Sequence, residues 1–160
     1  MAVSNARASA AADPAERVLV ITRIFDAPRE LVFKLWADPA HAKHRMGPRG
    51  FTAAHIEQDP RPGGAWRLCL RQDDGGRELW QGGVFHEIVE PERLVYTFAW
   101  DGEDGRRGHE TLVTITFAEH QGKTKMTFRQ AVFESVGQRD GHQGGWNSSF
   151  DRLAEYAARA

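Results

Sequence analysis

A chain of 160 residues has the length of one ordinary domain and can bury about 68–70% of its unfolded surface in a single core, so it needs no staples to fold. Its 21 Lys and Arg against 22 Asp and Glu leave a formal charge of −1, which excludes an overall basic field for nucleic acid or an anionic bilayer. One cysteine, Cys69, closes no internal disulfide, and no apolar run approaches the roughly 20 residues that span a bilayer, so a cytoplasmic protein without membrane insertion is expected.

Residues 1–16 are small and polar, with Ser4, Asn5, Ser9, Asp13 and Pro14 interrupting any apolar period. They cannot repay the entropy of ordering and are expected to be a disordered tail, leaving 17–160 as the folded domain. Val18 to Phe25 is β-branched and apolar enough for a strand. Asp26-Ala27-Pro28 then offers a cap and an early proline, and Leu31, Val32, Leu35 and Trp36 mark one face of a short helix. Asp38-Pro39 repeats the signal ahead of a second short helix from Ala40 to Met46, which Gly47-Pro48 ends.

From Phe51 onward, turn chemistry recurs at Asp59-Pro60, Asp73-Asp74-Gly75-Gly76, Glu90-Pro91, Asp101-Gly102 and Gln121-Gly122. The segments between alternate with period two: Trp66, Leu68 and Leu70; Leu94, Tyr96, Phe98 and Trp100; Val113, Ile115 and Phe117; Met126, Phe128, Gln130 and Val132. Alternation at hairpin spacing predicts an antiparallel meander. The period changes once more at the end, where Trp146, Phe150, Leu153 and Ala157 define a helix face, and Ser135-Val136-Gly137-Gln138 has the form of a capping box that starts this helix near Val136. Glycines 137, 141, 144 and 145 soften its first half.

The pattern predicts an α+β fold in which a curved antiparallel sheet covers its apolar face with one long helix. Six or seven strands offer more inward surface than one helix stripe seals. The five Trp and nine Phe either fill the remainder or line a pocket there.

Several strings carry a family resemblance: Arg23-Ile24-Phe25-Asp26-Ala27-Pro28, Trp36-Ala37-Asp38-Pro39, Gly47-Pro48-Arg49-Gly50-Phe51, Pro62-Gly63-Gly64, Pro91-Glu92-Arg93-Leu94, and Gly145-Trp146 with Phe150, Leu153 and Tyr156. In this order the chain resembles, over about residues 17–158, the activator-of-heat-shock-protein-90-ATPase-like branch of the START-like, helix-grip (SRPBCC) superfamily. The resemblance implies a seven-stranded antiparallel sheet gripping the C-terminal helix, with a cavity between them that opens near the second helix. Where similar bacterial proteins carry an aromatic pair before Gly-Pro, this chain has His44-Arg45-Met46. The fold implies no reaction, since it hosts unrelated activities.

No constellation of catalytic residues emerges. His41 and His44 share a helix face without a third ligand, so no metal is expected. His86-Glu87 and His109-Glu110 place neighbours on opposite strand faces, Cys69 falls out of phase with the Trp66 face, and Ser148-Ser149 lack a nucleophile elbow. The glycine pairs form no phosphate-binding or dinucleotide pattern, and no cofactor is implied. The candidate ligand-binding residues are Trp66, Trp80, Phe85, Tyr96, Phe98, Gln130, Trp146 and Phe150, with Met46 and Phe51 near the entrance. They fit a binding or carrier protein whose partner is a small hydrophobic or amphiphilic molecule, Tyr96 and Gln130 supplying polar anchors. Two alternatives stand beside it: a polyketide cyclase or aromatase-like enzyme using Tyr96, Gln130 or His86, and a co-chaperone-like interaction domain with a filled interior. Nothing in the sequence indicates a homodimer.

Overall fold

The computed structural model describes residues 13–45 and 47–159, with the backbone alone at 44 and 45. Asp13, expected in the tail, instead caps a 3-10 turn at Pro14–Arg17 through its side chain, and Arg17 Nη1 donates to the Phe133 carbonyl at 3.0 Å. These contacts hold in place the part of the expected tail nearest the domain; residues 1–12 lie outside the described residues.

The elements in order are β1 (Leu19–Phe25), α1 (Arg29–Ala37), α2 (Pro39–Arg45), β2 (Phe51–Gln58), β3 (Ala65–Gln72), β4 (Glu78–Val89), β5 (Arg93–Trp100), β6 (Thr111–His120), β7 (Lys123–Ala131) and α3 (Val136–Arg159). The strands form one sheet in the order β1-β7-β6-β5-β4-β3-β2. Every pair is antiparallel. This is the α+β helix-grip architecture expected of the sequence.

Local chemistry explains most element ends. Asp38 caps α2 by accepting from the Ala40 N–H at 2.9 Å. Asp26 does not cap α1: the N-cap there is Pro28, with no side-chain bond. At α3 the Ser135 hydroxyl accepts from the Gln138 N–H at 3.1 Å, one half of the expected capping box. Irregularities in β2 between Ala53 and His55 and in β4 between Phe85 and Glu87 break the register and bend the sheet around the helix. Ahead of the second, β4 and β5 approach closely: a Cβ on Gly83 would lie 1.8 Å from the Thr97 carbonyl oxygen, so only glycine is accommodated there.

Two zones of core result. On the β1, β7 and β6 side, Trp36, Phe128, Trp146 and Phe150 meet with ring centroids 4.6–6.3 Å apart. Phe33 meets Phe117 edge-on at 5.5 Å. The far half of α3 is tied down by polar contacts. Arg23 pairs with Asp151 at 2.8 Å, and Arg152 donates to the carbonyls of Gly47, Pro48 and Phe51 at 3.0–3.2 Å. Across β2 to β5 the packing against α3 is looser.

Candidate ligand cavity beneath the C-terminal helix

The looser zone contains a cavity of about 220 Å³ between α3 and strands β2 to β5. Its sheet wall is Phe51, Leu68, Leu70, Leu79, Gln81, Phe98 and Trp100; its helix wall is Gly141, His142, Gly145, Trp146 and Ser149; Gly47 and Pro48, just after α2, close one end. The sheet residues follow from parity, since Leu68 and Leu70 share a face, as do Leu79 and Gln81, and Phe98 and Trp100. The hollow itself follows from the helix sequence. Gly141 and Gly145 lie one turn apart, and a Cβ added to either meets nothing within 4 Å, so the stripe facing the sheet lacks the side chains that close the other half of the core. Gly47 is required for a different reason: its φ is +87°, and a Cβ there would come within 2.7 Å of Leu70.

Two smaller features adjoin this cavity. At the deep end, Gln81, Phe98 and Trp146 also bound a hollow of about 20 Å³, whose other walls include Gln58, Trp66, Phe85 and Tyr96. At the opposite end, Leu79, Phe98, Trp100 and His142 are shared with a wider groove of about 440 Å³ that reaches Arg77, Asp101, His109 and Glu134. Trp100 and His142 form the partition. Their rings are nearly coplanar, at 3°, and the indole N–H donates to His142 Nε2 at 2.6 Å. An imidazole that accepts through Nε2 is neutral, with its proton on Nδ1. Burial acts in the same direction, lowering the His142 pKa to about 4.

The structure distributes the sequence candidates unevenly. Phe51, Phe98 and Trp146 line the main cavity. Trp66, Phe85 and Tyr96 line the small deep hollow, joined there by Phe98 and Trp146. Phe150 packs into the aromatic core and lines neither. Gln130 is fully buried and already committed: its Oε1 accepts from the Trp146 indole N–H at 2.8 Å, and its Nε2 donates to the Thr111 hydroxyl at 2.8 Å. It is a clasp between helix and sheet rather than a ligand anchor. Trp80 is on the other side of the sheet, because it has the opposite parity to Phe85 on the same strand. There it pairs with Cys69 and lies 4.9 Å beneath the Arg67 guanidinium. Met46 lies outside the described residues.

The remaining titratable groups are engaged or turned outward. His86 is exposed. The His41 Nδ1 is 3.0 Å from the Tyr156 hydroxyl, and among the described residues no three His, Cys, Asp or Glu side chains group to hold a metal. Arg67 forms a two-pronged bond with Asp101, one arm at 2.9 Å, and holds that carboxyl below the usual carboxylate range. Cys69 is buried on the outer face, as its phase predicts, and burial pushes its thiol pKa up. Among the described residues no helix is long and apolar enough to cross a membrane.

Sequence reasoning missed Gln81, Trp100, His142 and the two glycines as a group. Parity with Phe85 and Phe98 identifies the first two, and helical spacing back from Trp146 identifies the rest.

Comparison with known proteins places this geometry in context. No curated protein sequence matches the chain. Among solved structures, a protein from Chromobacterium violaceum is similar at 26% identity and a TM-score of 0.81, with 88% of this chain and 96% of that one covered. A protein from Rhizobium leguminosarum is 27% identical with a TM-score of 0.75, covering 89% and 95%. One from Silicibacter pomeroyi, described as AHSA1, is 24% identical with a TM-score of 0.80, covering 88% and 97%. The sequence profile of the family described as activator of Hsp90 ATPase homolog 1-like protein matches residues 26–158, nearly the whole described domain from α1 to the end of α3. The chain belongs to that family.

Proposed function

We propose that the protein binds a small, largely apolar molecule between the sheet and α3. The observation that carries this reading is the cavity of about 220 Å³ bounded by aromatic and aliphatic side chains and two helix glycines, with Gln81, His142 and Ser149 as its polar side chains. No carboxylate, lysine or arginine lines it, and His142 is neutral near pH 7 because its pKa is lowered to about 4. A charged guest would lose its hydration without a counter-charge, whereas an uncharged ring system exchanges water for aromatic contact. A hollow of about 150 Å³ suffices for benzene, so this one suits a guest of one or two fused rings.

Carriage or sensing fits the site better than turnover. Of the three side chains named for acid–base work, His86 is exposed and the Gln130 amide is spent on Trp146 and Thr111, while Tyr96 borders the small deep hollow and not the main cavity. The test is native mass spectrometry of protein purified without detergent or organic solvent, combined with thermal melts against small aromatic compounds. A co-purifying mass, or a concentration-dependent rise in melting temperature with an uncharged aromatic probe, is the expected result. Protein that carries no extra mass and melts at one temperature across such probes refutes the reading.

A further inference from the structure

The deep end of the cavity contains two side-chain amides that the fold leaves without partners. Gln81 is 4% exposed, bounds both the main cavity and the small hollow behind it, and, although its backbone is paired in the sheet, its side-chain amide has no hydrogen-bond partner among the described residues. Gln58 reaches the same small hollow from β2, and its Oε1 is buried without a partner. The His142 Nδ1, on the helix wall of the main cavity, is likewise buried without a partner, whereas other groups nearby are met. The Trp66 N–H donates to the Thr97 carbonyl at 3.0 Å, and Gln130 is bonded at both ends of its amide. Leaving the Gln58 Oε1 buried without a partner is a cost that a leucine or methionine in the same place would not incur.

Given the binding reading above, we infer that Gln81, supported by Gln58, selects guests that carry one hydroxyl group on an uncharged ring system. The space around the amides is about 20 Å³, room for a single polar atom rather than a carboxylate or phosphate. A hydroxyl both donates and accepts through a single heavy atom. It gives its one hydrogen to Gln58 Oε1 and accepts one from the Gln81 Nε2 amide. A carbonyl or ether oxygen only accepts and leaves Gln58 Oε1 unmet. The rings behind the hydroxyl occupy the main cavity between Phe98, Trp146 and Leu68, which adjoins the amide end and shares Gln81, Phe98 and Trp146 with it as walls. The ligand class is therefore a small phenol or alicyclic alcohol.

The experiment compares indane with 5-indanol, which share one carbon frame and differ by the hydroxyl, in calorimetric titrations of the full chain. 5-Indanol is expected to bind about tenfold more tightly, the equivalent of about one net hydrogen bond. In Gln81→Met this preference falls to about one while indane affinity is kept or improved. Gln58→Met, made independently, narrows the preference as well and guards against one variant failing to fold. Equal affinities in the unmodified protein, or a preference that survives in both variants, overturn the inference and leave the cavity reading standing on indane alone. Failure of both compounds to bind the unmodified protein overturns the two together.

Discussion

Replacing Gly145 with leucine is expected to stabilise the protein and weaken ligand binding at once. Gly145 lies inside α3, lines the cavity, and a Cβ there meets nothing within 4 Å. Gly144 precedes it in the same helix, is exposed, and has equally open surroundings, but does not line the cavity. Both substitutions remove a helix-interior glycine, worth about 0.8 kcal/mol. Only the one at 145 also buries an isobutyl group against apolar walls. Burying about half of a leucine side chain adds roughly 1 kcal/mol, for a total of about 2 kcal/mol. In a domain of this size each 1 kcal/mol shifts the melting temperature by about 2–4 °C, so Gly144→Leu gains about 2–3 °C and Gly145→Leu about 4–8 °C. Differential scanning calorimetry measures both, with and without indane. The ligand-induced rise should survive in Gly144→Leu and shrink or vanish in Gly145→Leu. A Gly145→Leu protein that melts no higher than Gly144→Leu, or that keeps its full indane response, refutes the claim that this helix face borders usable apolar space.

Two further outcomes follow from the polar contacts around the cavity. His142 has its pKa lowered from 6.5 to about 4 by burial, so between those values the unfolded chain holds a proton that the folded one does not. Stability present above pH 6.5 is thus lost as pH falls toward 4, by up to about 3 kcal/mol; urea titrations of the unmodified protein and His142→Gln should diverge over that window, and parallel pH profiles contradict the assignment. Gln130→Leu strands the Trp146 indole N–H inside the core and should cost about 1–3 kcal/mol in urea unfolding. Full stability combined with lost ligand affinity would instead restore Gln130 as a ligand anchor.

The order of elements was legible because it rests on local chemistry: alternation for the strands, Asp38-Pro39 for α2, and Ser135 for the start of α3. The hollow was legible in outline from the mismatch between a wide sheet and one helical stripe. Parity also separates two residues that composition groups together. Trp80 and Phe85 are five residues apart on one strand, so they cannot share a face, yet both look like pocket residues by composition. Gln130 illustrates what parity cannot supply. Its inward direction is visible in the alternation with Met126 and Phe128, but its partners, Trp146 and Thr111, arrive from 16 and 19 residues away, and only tertiary structure shows the amide to be spent. Gln81 is the converse case, an inward amide on a strand of ordinary appearance whose meaning depends on what the fold fails to bring near it.

The partition formed by Trp100 and His142 also sets the reach of the site. It consists of two rings joined by one hydrogen bond, on the half of α3 that carries the glycines, while the opposite half is fastened by Arg23 and Arg152. A compact guest fits wholly behind this door. A longer one must exchange the indole–imidazole bond for contacts of its own, and its trailing end then emerges among Arg77, Asp101, His109 and Glu134. The two compartments would therefore sort molecules by length as well as by polarity, with charge tolerated only at the end that stays outside.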